Sequence, residues 1–282
     1  MRIAICFFSY NKDTELLKQA LRGVKRLREK NLEDTIDAYV FDDHNAPLEQ
    51  ALLPEWVNYT QTTFDRRRNL NGLECVQGML SVFADLVSKG YEWVIKADSD
   101  TYINTLEWLR ETDPSSIAHV GSCHVQDYSS GACYALSSSG ISALQEKLTD
   151  PIIQKRVDVA YCEDKVFCRL SRMTNLGVLC RHNDKNEISN VLLYHDWFAD
   201  ELADLEQLKD AAAVDFKRCM WHIDKEYWNS DREVAEVRMK EYADYVEVSD
   251  AIDTQSDVSE IDEHTQLPVQ SIVEPEIEPL TE

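Results

Sequence analysis

Asp98-Ser99-Asp100, two carboxylates separated by one small residue, is the most chemically pointed feature of the sequence. Hard oxygen donors at that spacing can share one divalent cation, Mn2+ or Mg2+, whose remaining positions go to water and a diphosphate. The acids close a segment that opens with the apolar run Trp93-Val94-Ile95, just after Gly90. Such a run reads as a strand covered on both faces of an open α/β sheet. In those sheets ligands bind outside the carboxyl ends of the strands, which is where the two acids fall. The plain alternative is an Asp-rich turn or a helix N-cap, and the rest of the chain must decide between them.

The surrounding pattern supplies a sheet for that strand. Residues 2–10 form a first strand, Asp13 and Thr14 offer an N-cap, and Leu16, Leu17, Ala20, Leu21, Val24 and Leu27 recur at helical spacing to about Lys30. Residues 36–42 make a second strand ending in Asp42-Asp43, followed by a short helix around Leu48 to Leu53 and a strand near Trp56 to Tyr59. A helix from about Leu73 to Ser88 then leads into the Asp98 strand. This β-α-β-α-β order is that of a doubly wound, nucleotide-binding half. Neither GxGxxG nor GxxxxGK[ST] occurs, and the chain holds only 8 glycines, which excludes the usual dinucleotide fold and a P-loop.

Beyond Asp100, Ile117 to Gly121 and Ala132 to Leu136 read as strands, Ser137 to Leu148 as a capped helix and Cys162 to Leu170 as a helix. Val178 to Cys180 and Val191 to Tyr194 are further strand candidates. From Phe198 the pattern turns helical, with an amphipathic charged segment from Asp231 to about Val246. The predicted organisation is a domain over 1–200, split into a nucleotide half (1–104) and an acceptor half (105–200). A helical extension (201–246) and a disordered acidic tail (247–282) follow.

Composition bounds the partners. The net charge is −23, and from Val246 onwards there are eleven acids and no Lys or Arg, leaving about −12 on the body. A strongly acidic chain repels phosphate backbones, which argues against nucleic acid as a general partner. No apolar run reaches membrane-spanning length, and a strand begins almost at Met1, so a cytoplasmic protein is expected. The 8 cysteines are scattered through apolar segments without a CxxC, as buried free thiols in a reducing compartment would be.

Four segments now carry a resemblance. Lys96-Ala97-Asp98-Ser99-Asp100-Thr101-Tyr102-Ile103 looks like the KADDDTYV motif of the fringe and core-1 β-1,3-galactosyltransferase group of GT-A glycosyltransferases. Gly131-Ala132-Cys133-Tyr134-Ala135-Leu136-Ser137 resembles that group's GAGYVLS segment, and Glu163-Asp164-Lys165 its EDV motif, with Lys165 where the group has Val. His195 stands where the group places a late histidine. The resemblance spans about residues 2–198 and implies a GT-A, Rossmann-like mixed sheet flanked by helices. It further implies metal ligation by Asp98, Asp100 and His195, an imidazole favouring Mn2+ over Mg2+. Asp164 becomes the general base of an inverting transfer, with Glu163 in reserve. A Lys at 165 would either pair with that base or point to solvent.

Donor contacts are expected at strand ends, Ser9 and Tyr10 after the first strand and Asp42 and Asp43 after the second, which in GT-A enzymes meet base and ribose. Arg66, Arg67 and Arg68 precede the helix that starts near Asn71-Gly72, an arrangement suited to a diphosphate. Tyr128, Tyr134 and Trp197 are candidates either to stack on sugar faces or to fill the core. The partners implied are a nucleotide sugar, a UDP-sugar foremost, and a glycan, lipid-linked or other hydroxyl acceptor. Two rival readings are a sugar-phosphate nucleotidyltransferase, whose glycine-rich loop after strand one is missing, and a non-catalytic sugar-nucleotide-binding scaffold.

Overall fold

The computed structural model describes residues 1–42, 46–64, 72–123, 129–158, 163–182, 193–195, 220–222 and 232–263. The chain divides into two compact units, Met1–Ala243 and Asp244–Glu282.

The first unit is built on a seven-stranded sheet. Its strands are β1 (Arg2–Ser9), β2 (Thr35–Asp42), β3 (Asn58–Gln61), β4 (Trp93–Ala97), β6 (Ile117–Cys123), β7 (Ser129–Ser137) and β8 (Gly177–His182), in the order β3-β2-β1-β4-β7-β6-β8. The first four strands run parallel, β7 is antiparallel to both β4 and β6, and β8 is parallel to β6. The parallel half joins its strands through α1 (Thr14–Lys30) and α2 (Leu73–Ser88); α4 (Ser138–Lys147), α5 (Pro151–Asp158) and α6 (Glu163–Arg172) belong to the mixed half. A short β5 (Thr101–Tyr102) and α3 (Glu107–Arg110) follow the acids, and β5 joins β9 (Leu193–His195) and β10 (Met220–His222) in a second sheet ordered β5-β10-β9. The helix α7 (Arg232–Glu263) ends the described chain.

Sequence pattern accounts for these layers. Every residue of β4 is buried, and in α1 the buried set is the one that recurs at helical spacing, from Leu16 to Leu27. The aromatic centre of the core is Phe8, stacked on Phe41 at 5.2 Å and edge-on to Phe83 at 6.0 Å. Close contact between α4 and β6 needs a glycine: a Cβ on Gly140 would lie 2.4 Å from the Ala118 carbonyl oxygen.

Four predicted boundaries move. The helix expected at 48–53 is a single turn of 3-10 helix, Gln50–Leu52, and the strand expected at 56–59 is Asn58–Gln61. Within the stretch predicted helical from Phe198, Met220–His222 is a strand, because it completes the ladder with Thr101–Tyr102. The acidic segment predicted disordered from 247 is helical as far as Glu263. Neither Gly nor Pro interrupts it, and the prolines come only at 268, 275 and 279. Residues 264–282 lie outside the described residues.

Among the described residues, Cys6, Cys75, Cys133 and Cys168 are buried free thiols. No helix among the described residues is long and apolar enough to cross a membrane.

His119 of β6 is fully buried and stacks on Tyr134 of β7, with centroids 5.3 Å apart and planes at 17°. Burial, and then the charge of Arg172, hold its imidazole down to about 3, against 6.5 in an unfolded chain. An unfolded chain therefore takes up a proton that the folded one refuses. The residue's contribution to stability is whole above pH 6.5 and is lost progressively as pH falls towards 3. In His119→Phe, which keeps the stack, the fall in Tm between pH 6.5 and 4 should be shallower than in the wild type; parallel Tm–pH curves would show that His119 takes no part.

Candidate active site

The turn after β4 carries the paired acids. Asp98 donates its N–H to the Ala132 carbonyl at 2.9 Å, and the Thr101 hydroxyl donates to the same oxygen at 3.1 Å. The Thr101 N–H closes the turn on the Asp98 carbonyl at 3.0 Å. Backbone and hydroxyl thus pin the turn to β7. From its other side, Ser99 donates to Asp13 Oδ2 at 2.7 Å, both residues being fully buried. Asp13 closes the single 3-10 turn that leads into α1, so the small residue between the acids anchors them to the first crossover.

Three elements converge beside Asp98. Lys96 Nζ donates to Asp98 Oδ1 at 2.6 Å and to the Gly131 carbonyl, and lies 3.7 Å from Glu163 Oε1. Glu163 and Asp164 head α6, where a helix N-terminus favours negative charge. Both are nearly buried. Asp164 lies against Gly131: a Cβ there would sit 3.0 Å from Asp164 Oδ2. Its other oxygen accepts the Lys165 backbone N–H at 2.7 Å. The strand end, the Gly131 segment and the Glu163-Asp164 pair, far apart in sequence, therefore share one place. Cys133 also lies there, but burial pushes its thiol pKa up, which leaves an inert thiol rather than a nucleophile.

Asp100 is buried, its side chain on the turn between β4 and β5. The second sheet brings two histidine positions towards it. His222 pairs with Thr101, and His195 pairs in turn with His222. At about 4.8 Å per strand, His222 stands one strand from the residue after Asp100 and His195 stands two. Sequence reading missed His222 because Met220-Trp221-His222 was absorbed into a helical stretch. The short apolar run closed by a histidine was the available signal.

The remaining donor-side residues divide. Ser9 and Asp42 are paired across the ends of β1 and β2, and both are buried. The Asp42 carboxylate accepts the Leu48 N–H at 2.6 Å and the Tyr59 hydroxyl at 2.8 Å. Burial and that carboxylate raise the Tyr59 phenol to about 12. Asp42 thus organises the loop after β2. Tyr10 is half-buried at the start of the 3-10 turn, and Asn11 donates its N–H to the Ala46 carbonyl at 3.0 Å, tying two strand-end loops together. Tyr134 is core, tilted against Phe167 as well as stacked on His119. Asp43, Arg66, Arg67, Arg68, Asn71, Tyr128 and Trp197 lie outside the described residues. A cavity of about 450 Å³ bordered by Gln50, Pro54, Glu55 and Tyr59 opens beside β3, three strands from β4, and contains none of the predicted site residues.

No family model and no curated protein matches the sequence. Among solved structures, the galactosyltransferase LgtC, determined with donor and acceptor sugar analogues, matches with a TM-score of 0.51 at 14% identity, over 86% of this chain and 95% of that one. The fold is that of the GT-A glycosyltransferases. A glycosyltransferase involved in glycosylation of the major capsid of PBCV-1 gives a TM-score of 0.47 at 14% identity, over 85% of this chain and 99% of that one.

The buried Ser99–Asp13 bond is testable without reference to activity. Ser99→Ala removes a hydroxyl donor from a buried carboxylate and should lower stability by about 2 kcal/mol in urea denaturation. A change near zero would show that Asp13 does not depend on it.

Proposed function

We propose that this protein is a metal-dependent glycosyltransferase that moves a sugar from a nucleotide sugar, a UDP-sugar foremost, to a hydroxyl acceptor with inversion at the anomeric carbon. The observation that carries the reading is the convergence of Asp98 with Glu163 and Asp164 at the carboxyl end of β4. The order of motifs in the sequence supports a place near the fringe and core-1 group, whose acceptors are not carried over.

The residues fit a divalent cation by the chemistry of the donor set. Asp98 and Asp100 offer hard oxygens one residue apart, Asp98 is partly open to solvent, and the ladder through Thr101 pairs that strand with His222 and, one strand on, His195. Asp98 and Asp100 would hold Mn2+ or Mg2+, with His195 as the sequence suggests or His222 as the register favours. When bound, that ion supplies Lewis-acid stabilisation of the departing diphosphate. The chain's own residues do the rest. Asp164 accepts the proton of the acceptor hydroxyl as its oxygen bonds to the anomeric carbon and the carbon–oxygen bond to the diphosphate breaks. Gly131 leaves room for that carboxylate, and the Lys165 N–H orients its other oxygen. Ser9, Tyr10, Asp42 and Asp43 are assigned to the nucleoside side, with Asp42 acting through the loop it holds, and Arg66, Arg67 and Asn71 to the diphosphate. The acceptor is a glycan, a lipid-linked sugar or another hydroxyl compound. Free buried thiols support a reducing, cytoplasmic setting.

Calorimetry with UDP and Mn2+ tests the metal role: Asp100→Ala should abolish Mn2+-stimulated UDP binding, and unchanged binding would remove the acid from the site. A panel of nucleotide sugars assayed for Mn2+-dependent turnover identifies the donor. With that donor, Asp164→Asn should keep UDP–Mn2+ binding and slow turnover by about a hundred-fold or more. Binding kept and turnover near wild type would place the base elsewhere; binding without turnover in the wild type would favour the scaffold reading.

A further inference from the structure

Lys96 lies inside the sheet on β4, with only 2% of its side chain exposed. A charge so removed from water persists only where it is paired and hydrogen-bonded. Its partners come from three places: Asp98 in the turn after β4, the Gly131 carbonyl of β7 and Glu163 at the start of α6. The ring of Tyr134 closes one side, its centroid 5.9 Å from Nζ. The ammonium therefore sits between the acid that a cation would share and the acid beside the proposed base. An ammonium and a divalent cation on the same carboxylate repel each other, and at a few ångströms that repulsion survives an effective dielectric of about 20.

We infer that Lys96 is a positioning residue that serves as the site's internal counter-ion. It draws Asp98 and Glu163 to one point and, by sharing Asp98, weakens the hold on the divalent cation, so that cation and nucleoside diphosphate are released after transfer. The inference rests on the metal-dependent reading above. It explains why a lysine, rather than an apolar residue, occupies a position wholly inside the sheet.

The test is Mn2+ binding to the full chain in the presence of UDP, followed by calorimetry or by the electron paramagnetic resonance signal of free Mn2+. Lys96→Gln keeps N–H donors for Asp98 and Gly131 but removes the charge, whereas Lys96→Arg keeps the charge. Lys96→Gln should bind Mn2+ about ten-fold more tightly and turn over more slowly at saturating donor, while Lys96→Arg stays within about three-fold of wild-type affinity. Disturbed packing would weaken Mn2+ binding, so the direction of the change separates the two explanations. Equal or weaker binding in Lys96→Gln overturns the inference. Should that variant fail to fold, the wild type answers instead: its buried-lysine ammonium resonance, assigned by its loss in Lys96→Arg, should shift when Mg2+ and UDP are added, and a stationary resonance overturns the sharing of Asp98. Failure of the underlying reading looks different. In that case the wild type takes up no Mn2+ with UDP present, and the inference falls with it.

Discussion

A lysine ammonium enclosed within a β-sheet is the constraint on which the rest of this site depends. Burying a positive charge is unfavourable by several kcal/mol unless its partners are close and correctly directed. Lys96 meets that demand with Asp98 and the Gly131 carbonyl at hydrogen-bonding range and Glu163 at 3.7 Å. Asp98 is 2 residues away along the chain, Gly131 is 35 and Glu163 farther still, so satisfying one charge fixes the strand end, the β7 segment and the head of α6 together. Removing a single partner would leave the others charged and unbalanced, which makes the cluster stand or fall as a unit.

The same logic explains the use of small residues. Ser99 occupies the place between the two acids because its hydroxyl reaches a buried Asp13, and a larger side chain would part the turn from α1. Gly131 faces Asp164 so closely that even a methyl group would press on the carboxylate. The Asp98-Ser99-Asp100 spacing is thus dictated from both sides. The acids are set by chemistry, and the residue between them is set by what lies beneath.

Much of this was legible beforehand. The apolar run Trp93-Val94-Ile95, the helical spacing from Leu16 to Leu27 and the helix read from Leu73 to Ser88 rest on local patterns that burial imposes, and the elements fall where they predict. What local pattern cannot show is a partner distant in sequence. Met220–His222 is three residues long and becomes a strand only because Thr101–Tyr102 pairs with it. Asp42 read as a ligand contact because an acid at a strand end usually points outward, yet Tyr59 and the Leu48 N–H both donate to its Oδ2 from within the protein. Lys96 was visible as a letter of a motif but not as a buried charge, since nothing in its neighbourhood in the sequence says that Glu163 will lie 3.7 Å away.

Charge balance then links the site to the composition of the whole chain. A protein of net charge −23 repels a nucleoside diphosphate before any contact is made. Around the turn after β4, Asp98, Asp100, Glu163 and Asp164 bring four carboxylates, and the ammonium of Lys96 is committed to Asp98 and Glu163 within that cluster. Such a surface can accept two phosphates only when further positive charge arrives with them or is placed over them. On the proposed reading, a divalent cation entering with the diphosphate would meet that need at the place where the two hard oxygen donors of Asp98 and Asp100 stand. On the same reading, the acidity that argues against nucleic acid is also what would make this site depend on a cation.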